Sequence, residues 1–320
     1  MVGSAALTPM HVAHDYRLAG LTGPAALAIG NFDGVHRGHR HLFERVVSAA
    51  RAFGGAAVAL TFDPHPTRVL APARAAPLLT SLDRRLELMA GSGLDAVIVQ
   101  RFDTAVSSQP AREFVEQVVV GLGARELFVG HDFHFGRNRE GTGELLRDLG
   151  TELGFAAHRL APVTDASEPI SSTRTRRALA DGDLPLARRL LGRDFDLDGL
   201  VVRGDQRGRT IGFPTANLAT PVEALPRDGV YAVRVKVANA PDAVEREGVL
   251  NLGLRPTVRA GRSLEVHLLD FEGELYGRTL RVTFVARLRD ERRFDGLDAL
   301  RTQIAHDVEA ARAALREVAP

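Results

Sequence analysis

Through its first half the chain alternates short, mostly apolar runs with stretches whose apolar positions recur at helical spacing. Residues 25–29, 56–61, 96–100, 126–129 and 156–160 read as strands of the buried kind, with helical patterns filling the intervals. The rhythm is βαβ, which predicts a parallel sheet covered by helices on both faces, with ligands at the carboxyl ends of the strands. From about Asp198 the period changes to short alternating strands with turn residues at close spacing, residues 231–237 among them, and a helical stretch over 297–318 closes the chain. That texture predicts a second, all-β domain, a barrel or a sandwich.

At 320 residues, 45% hydrophobic and 25% charged, the chain has room for two cores. Its 41 basic and 40 acidic residues leave a net charge of +1, no electrostatic footprint for nucleic acid or an anionic membrane, so the expected partners are small molecules. Cysteine is absent, which excludes disulfides, thiolate catalysis and Cys-ligated zinc. No segment approaches the roughly 18 apolar residues of a membrane span. Residues 1–10 lack a basic start followed by an apolar core, and the reading expects a cytoplasmic protein. Oligomeric state leaves no signature. Lys236 is the only lysine and falls in a strand pattern, so a P-loop has no candidate for its phosphate-cradling lysine.

Candidate chemistry gathers where the strands end. The first strand runs into Gly30-Asn31-Phe32-Asp33-Gly34-Val35-His36-Arg37-Gly38-His39. The glycines let the backbone turn sharply and approach a ligand closely. His36 and His39, three residues apart, share one face of a first helical turn, where unpaired N–H groups and the helix dipole favour an anion. The arrangement predicts a phosphate site. His-x-x-His is also a metal-ligand spacing, but His65, His131 and His134 stand in separate segments and no cysteine is present, which argues against zinc. The second strand leads into Thr61-Phe62-Asp63-Pro64-His65-Pro66 and the fourth into Val129-Gly130-His131-Asp132-Phe133-His134-Phe135-Gly136, so three motifs are expected along one cleft.

After the fifth strand, Ile170-Ser171-Ser172-Thr173-Arg174-Thr175-Arg176 opens a helix. One hydroxyl would be an ordinary N-cap. Three, with Arg174 and Arg176 alongside, predict a second anion site, suited to the outer phosphates of a triphosphate whose α-phosphate sits at the histidines. In the second domain a run from Gly204 to Asn217 spaces Gly204, Gly208 and Gly212 four apart and ends on Thr215 and Asn217. A hydroxyl and an amide are hard-oxygen donors that suit Mg²⁺ against nucleotide phosphates, with Arg209 and glycine N–H groups on the rest. Taken alone, the run is equally a glycine-rich hairpin.

The segment GNFDGVHRGH resembles the HxGH signature of nucleotidyltransferases, which move a nucleotidyl group and release pyrophosphate. GDQRGRTIGFPTAN, followed by Gly229-Val230-Tyr231-Ala232, the Asn251 to Thr257 segment and the Leu264 to Asp270 segment, resembles the riboflavin kinase module. With both motif sets in order from about Ala25 to Ala313, the chain resembles the prokaryotic bifunctional riboflavin kinase/FAD synthetases. The resemblance implies a Rossmann-like FMN adenylyltransferase domain over residues 1–185 and, over 186–320, a small antiparallel β-barrel with a terminal helix as the riboflavin kinase.

The implied reactions are riboflavin plus ATP to FMN and ADP in the second domain, and FMN plus ATP to FAD and pyrophosphate in the first, with Mg²⁺. The resemblance places Gly30, Asn31, Phe32, Gly34, Gly38 and the catalytic His36 and His39 on the adenylate side, and Ser171, Ser172, Thr173 and Arg176 on the outer phosphates. Phe62, His65, Pro66, Asp132, Phe133 and Phe135 would line the flavin side. In the kinase it implies Gly204, Gly208, Arg209, Gly212 and Pro214 for ATP, Thr215 and Asn217 for the metal, Arg255 for the flavin and Glu265 as the base. The alternating run Leu264 to Leu268 puts Glu265 and His267 on one face, opposite the leucines and valine.

Three positions depart from the family pattern: His131 for a more usual acid or tyrosine, Thr175 for isoleucine, and Asp63 for Glu. Two other classes compete: an HxGH transferase for some other phosphate beside a ligand-binding barrel, and a non-catalytic flavin-binding protein. The GRTIGFPTAN run with Glu265 argues against the first, and two complete phosphate sites argue against the second.

Overall fold

In the computed structural model the described residues are 10–21, 23–204, 208, 211–238, 240, 243–254 and 262–317. They form two compact units: residues up to Ala76 with Leu82–Ser171, and Pro77–Ser81 with the chain from Ser172 on. The first unit carries β1 (His11–Ala13), β2 (Ala25–Ile29), β3 (Ala56–Asp63), β4 (Ala96–Arg101), β5 (Ala124–Gly130) and β6 (Ala156–Leu160) in one parallel sheet, ordered β1-β4-β3-β2-β5-β6. The five strands expected from the sequence are all present. The reading missed β1, whose three residues pair with β4 but are too few to show a period.

Strand order decides where ligands go. The chain steps outward from β2 to β4, then returns across β2 to β5, so the strand order, not the strand direction, reverses between β2 and β5, and in open parallel sheets ligands bind at the carboxyl ends beside such a switch point. Alternation along β2 sends Leu27 and Ile29 into one core with Phe114 and Val118, and Ala26 and Ala28 into the other with Phe43 and Val46. With Ala57 and Ala59, those alanines give the second face little relief, and α1 (Arg37–Ala52) seats Phe43 on it. Helix α2 (Leu82–Ala90) packs into that same face through Met89, while α3 (Gly143–Leu153) supplies Leu146 and Leu149 to the other. A hairpin of β7 (Thr164–Asp165) and β8 (Glu168–Pro169) follows.

In the second unit α4 (Ser172–Asp181) and α5 (Leu184–Leu191) precede β9 (Phe195–Val202), β10 (Ala216–Ala219), β11 (Gly229–Val237), β12 (Arg246–Leu254), β13 (Arg262–Leu268) and β14 (Thr279–Arg289). These strands close into an antiparallel barrel, ordered β10-β13-β12-β11-β14-β9, which settles barrel against sandwich. Its filling includes Tyr231, Leu250 and Val266, aligned across three strands, with Phe195 and Phe284 against Tyr231's end of the row. The outer face bearing Val230, Ala232 and Val249 is covered by α6 (Leu297–Glu317) through Ala311 and Leu315. The compact unit begins at Ser172, upstream of the expected change of texture, because α5 packs on β9 and β14 and the Leu179 carbonyl of α4 accepts the Arg227 N–H at 2.9 Å.

Candidate active sites

At the end of β2 the chain makes a turn that ordinary residues resist. Phe32 (φ 51°), Gly34 (φ 83°) and Val35 (φ 41°) all lie in the left-handed region, and for a β-branched valine that conformation is costly. His36 then caps α1, its Nδ1 accepting the His39 N–H at 3.3 Å. Accepting through Nδ1 makes Nε2 the proton-bearing nitrogen. The two imidazoles stack with centroids 3.5 Å apart and planes 18° apart, and Phe32 meets His39 edge-on at 5.3 Å. A Cβ on Gly38 would stand 3.1 Å from His36 Cε1, and one on Gly30 would stand 2.8 Å from the Phe32 ring, so both glycines make room for rings.

The cluster leaves one buried polar atom unsatisfied. His39 Nδ1 is buried with no hydrogen-bond partner, an orphan that a ligand oxygen would satisfy. Burial, then His36, then the charge of Arg85 hold the His39 imidazole well below its usual range, so it is neutral near pH 7. Arg85, on α2 and 4% exposed, was not singled out from the sequence. Its Nη1 donates to the Asn31 carbonyl at 2.8 Å and Nη2 to the Phe62 carbonyl at 3.3 Å, which joins the histidine turn to the TFDPHP turn. The signal was available: Leu82, Arg85, Leu86 and Met89 stand at helical spacing on one stripe, and an arginine in an apolar stripe has a buried job.

The three expected motifs leave adjacent parallel strands, β3, β2 and β5, at one edge. His65 caps the Pro66–Leu70 turn, with Nδ1 2.8 Å from Thr67 Oγ1. Phe62 and Phe135 lie in the core, both 7% exposed, while half-buried Phe133 stacks on Phe135 at 5.6 Å and Asp132 is exposed. The Ile170 carbonyl lies 3.7 Å from where a Gly38 Cβ would stand, which brings the residue before Ser171 to the histidine turn. Ser171 closes the first unit; Ser172, Thr173 and Arg176 belong to α4 of the second, where Arg176 Nε donates to the Pro77 carbonyl at 2.6 Å. Thr175 is fully buried beside Ala178 and Leu179, the setting of the apolar residue it replaces.

In the barrel, register brings the second constellation together. Asn217 of β10 and Asn251 of β12 both pair directly with Glu265 of β13, so the three side chains share one face. Ser263 Oγ donates to Glu265 Oε1 at 3.0 Å. Sequence reading found Asn217 and Glu265 but not that they are neighbours, and it missed the flanking Asn251 and Ser263, because cross-strand register has no local signal. The face is the outer one, as expected from the alternation, with Leu264, Val266 and Leu268 buried opposite. A Cβ on Gly204 would fall 2.3 Å from Asn217 Nδ2, and one on Gly208 2.3 Å from the Phe213 carbonyl and 3.2 Å from Thr215 Oγ1. The loop backbone therefore lies directly on Thr215 and Asn217.

His267 meets the Pro214 carbonyl through Nδ1 at 2.8 Å and the Phe213 ring edge-on, which fixes the GFPTAN run to β13. Beside that run lies a cavity of about 590 Å³, walled by Ile211, Gly212 and Phe213 on one side and by Asp298, Arg301, Thr302, Ala305 and His306 of α6 on the other. Arg209 and Arg255, expected on the phosphates and the flavin, lie outside the described residues.

Two family models match the chain, FAD synthetase over residues 20–174 and riboflavin kinase over residues 191–315. The bifunctional riboflavin kinase/FMN adenylyltransferases of Pseudomonas fluorescens and Escherichia coli K12 are each 43% identical to it over 89% of this chain and 91% of theirs. That of Bacillus subtilis is 34% identical over 94% and 96%. A crystal structure from Streptococcus pneumoniae, titled a macrolide-efflux protein, superposes with a TM-score of 0.82 at 30% identity, covering 95% of this chain and 99% of that one. Among the described residues no helix is long and apolar enough to cross a membrane. Identity of this degree along nearly the whole length, with both modules in order, makes the chain a member of the bifunctional riboflavin kinase/FMN adenylyltransferase family.

Proposed function

We propose that the family's two activities divide along this chain near residue 185, with FMN adenylylation served by residues 1–185 and riboflavin phosphorylation by 186–320. The chain converts riboflavin and ATP to FMN and ADP, and FMN and ATP to FAD and pyrophosphate. In the adenylyl step an FMN phosphate oxygen attacks the α-phosphorus in line while the bond to pyrophosphate breaks. Charge then spreads over the non-bridging oxygens, and preorganised donors such as His36 and His39 stabilise it without a covalent intermediate. Ser171, Ser172, Thr173 and Arg176 take the outer phosphates, and Phe62, His65, Pro66, Asp132, Phe133 and Phe135 the flavin. Cytoplasmic residence fits a chain without cysteine.

In the kinase step a riboflavin hydroxyl attacks the γ-phosphorus, Glu265 takes its proton, and ADP leaves. Thr215 and Asn217, closely covered by glycine backbone, fit a hard cation and would hold Mg²⁺, which when bound draws charge from the ATP phosphates. The cavity between Phe213 and α6 is the place proposed for the flavin ring. The observation that carries the kinase reading is the direct pairing of Asn217 with Glu265. The test is to supply riboflavin, ATP and Mg²⁺ and separate the flavins. Glu265→Gln should abolish FMN formation yet still turn supplied FMN into FAD, and His39→Ala should do the reverse, losing roughly 10² to 10³ in FAD formation. Parallel loss of both products in either variant would refute the division.

A further inference from the structure

A buried arginine in a nucleotide-binding domain needs an explanation, because guanidinium is among the groups least often found inside a protein unless it is paired. Arg85 is 4% exposed on the apolar stripe of α2. Its strongest bonds go to backbone carbonyls: Nη1 to Asn31 at 2.8 Å and Nη2 to Phe62 at 3.3 Å. The Asp63 carboxylate stands 3.7 Å away, Oδ1 to Nη2, and Asp33 and Asp63 both offset the burial of the guanidinium charge. The Asn31 carbonyl is also met by Thr61 Oγ1 at 3.0 Å, so both of its lone pairs are engaged. Immediately after it come the left-handed Phe32, Gly34 and Val35. A strained turn persists only where its surroundings over-determine it.

We propose that Arg85 is a positioning residue for adenylyl transfer: by bridging the carbonyls of Asn31 and Phe62 it holds the His36–His39 pair in fixed relation to the TFDPHP turn. The inference rests on reading the histidine turn as the phosphate site. Arg85 has a second effect, through charge. It belongs to the set that keeps His39 neutral, with burial and His36 ahead of it, and Asp33 and Asp63 favour the charged form of Arg85 itself against its burial. An incoming polyphosphate therefore meets a cationic group already in place and a neutral imidazole, a state that needs no reorganisation when charge develops. Nothing in the kinase reaction draws on Arg85, so FMN formation by the same chain serves as the internal control.

The experiment uses the full chain carrying Arg85→Met, Arg85→Lys or, as reference, His39→Ala. FAD and FMN formation are followed across pH, and the histidine Cε1 resonances are titrated. A misplacement of about 1 Å in a phosphoryl-type site costs on the order of 100-fold. Arg85→Met should lose about that much in FAD formation while FMN formation holds, and His39 should titrate at higher pH, carrying the acid limb of FAD formation upward. Arg85→Lys keeps the charge but cannot fork to two carbonyls. It should leave His39 titrating as in the parent and recover only part of the rate, and it carries the test should Arg85→Met fail to fold. FAD formation within twofold of the parent in both variants, with His39→Ala inactive, would overturn the role of Arg85 and leave the phosphate site standing. An active His39→Ala would instead overturn the site reading itself. A loss of rate with no movement of His39 in Arg85→Met would reduce Arg85 to a structural residue.

Discussion

Gly204 offers a sharp test of how the kinase site is assembled. Replacing it with alanine places a methyl group 2.3 Å from Asn217 Nδ2, 2.5 Å from Cγ and 2.7 Å from Oδ1, where Cβ contacts under 3.0 Å are essentially never seen. Asn217 is only 7% exposed and sits in a strand paired on both edges, so the amide cannot simply swing into solvent. Relief requires the Gly204 segment or the amide to move by several tenths of an ångström to about 1 Å, and displacement on that scale costs on the order of 10² in rate. Gly204→Ala should therefore depress riboflavin phosphorylation about 100-fold and leave FMN adenylylation unchanged. Gly277→Ala is the control: its φ of +74° strains an alanine, a burden Gly204 does not carry, yet nothing lies within 4 Å, so it should cost stability and not FMN formation. Chromatography of the flavins from timed reactions reads both activities. FMN formation by Gly204→Ala within a few-fold of the parent would show that Asn217 does not depend on the glycine above it.

Other outcomes follow from burial and charge. Arg289 grips Asp307 with two bonds of 2.8 and 2.6 Å at the middle of α6, both side chains largely buried, so Asp307→Asn leaves a poorly compensated cation and should cost about 3–5 kcal/mol of second-unit stability. Replacing both partners with apolar residues should cost far less, and equal losses in denaturant unfolding would refute the pairing argument. His39 has its folded pKa depressed below the unfolded value near 6.5, so its contribution is intact above that pH and is lost as pH falls from there toward the folded value. Denaturant midpoints of the first unit should drop through that window, less so in His39→Gln; identical slopes would count against it. A side chain at Gly38 would press on the His36 ring, and Gly38→Ala should lower FAD formation while sparing FMN.

The sequence alone determined the βαβ rhythm, the switch to barrel texture and the terminal helix, because each follows from periodicity within a window of a few residues. It also marked the histidine turn and the glycine run as candidate anion sites, because their residue types stand in neighbouring positions, while Glu265 entered as a candidate base through the family resemblance. The surroundings of Thr175, a departure from the family pattern, and of Phe133, expected on the flavin side, were not legible in the sequence. The structure sets Thr175 in a fully buried apolar face and Phe133 half-buried on Phe135, which are matters of packing.

Tertiary structure alone decided what stands beside what. Glu265 and Asn217 are 48 positions apart in the chain by their numbers, and only closure of the barrel puts Asn217 and Asn251 on either side of the carboxylate. The apolar stripe marks Arg85 as a side chain that turns inward, but only the tertiary structure shows that it meets the Asn31 and Phe62 carbonyls. The wall that α6 contributes beside Phe213, and the depressed titration of His39, likewise come from groups distant in sequence. Local pattern reports which way a side chain faces; burial, field and register are properties of what the rest of the chain brings to meet it.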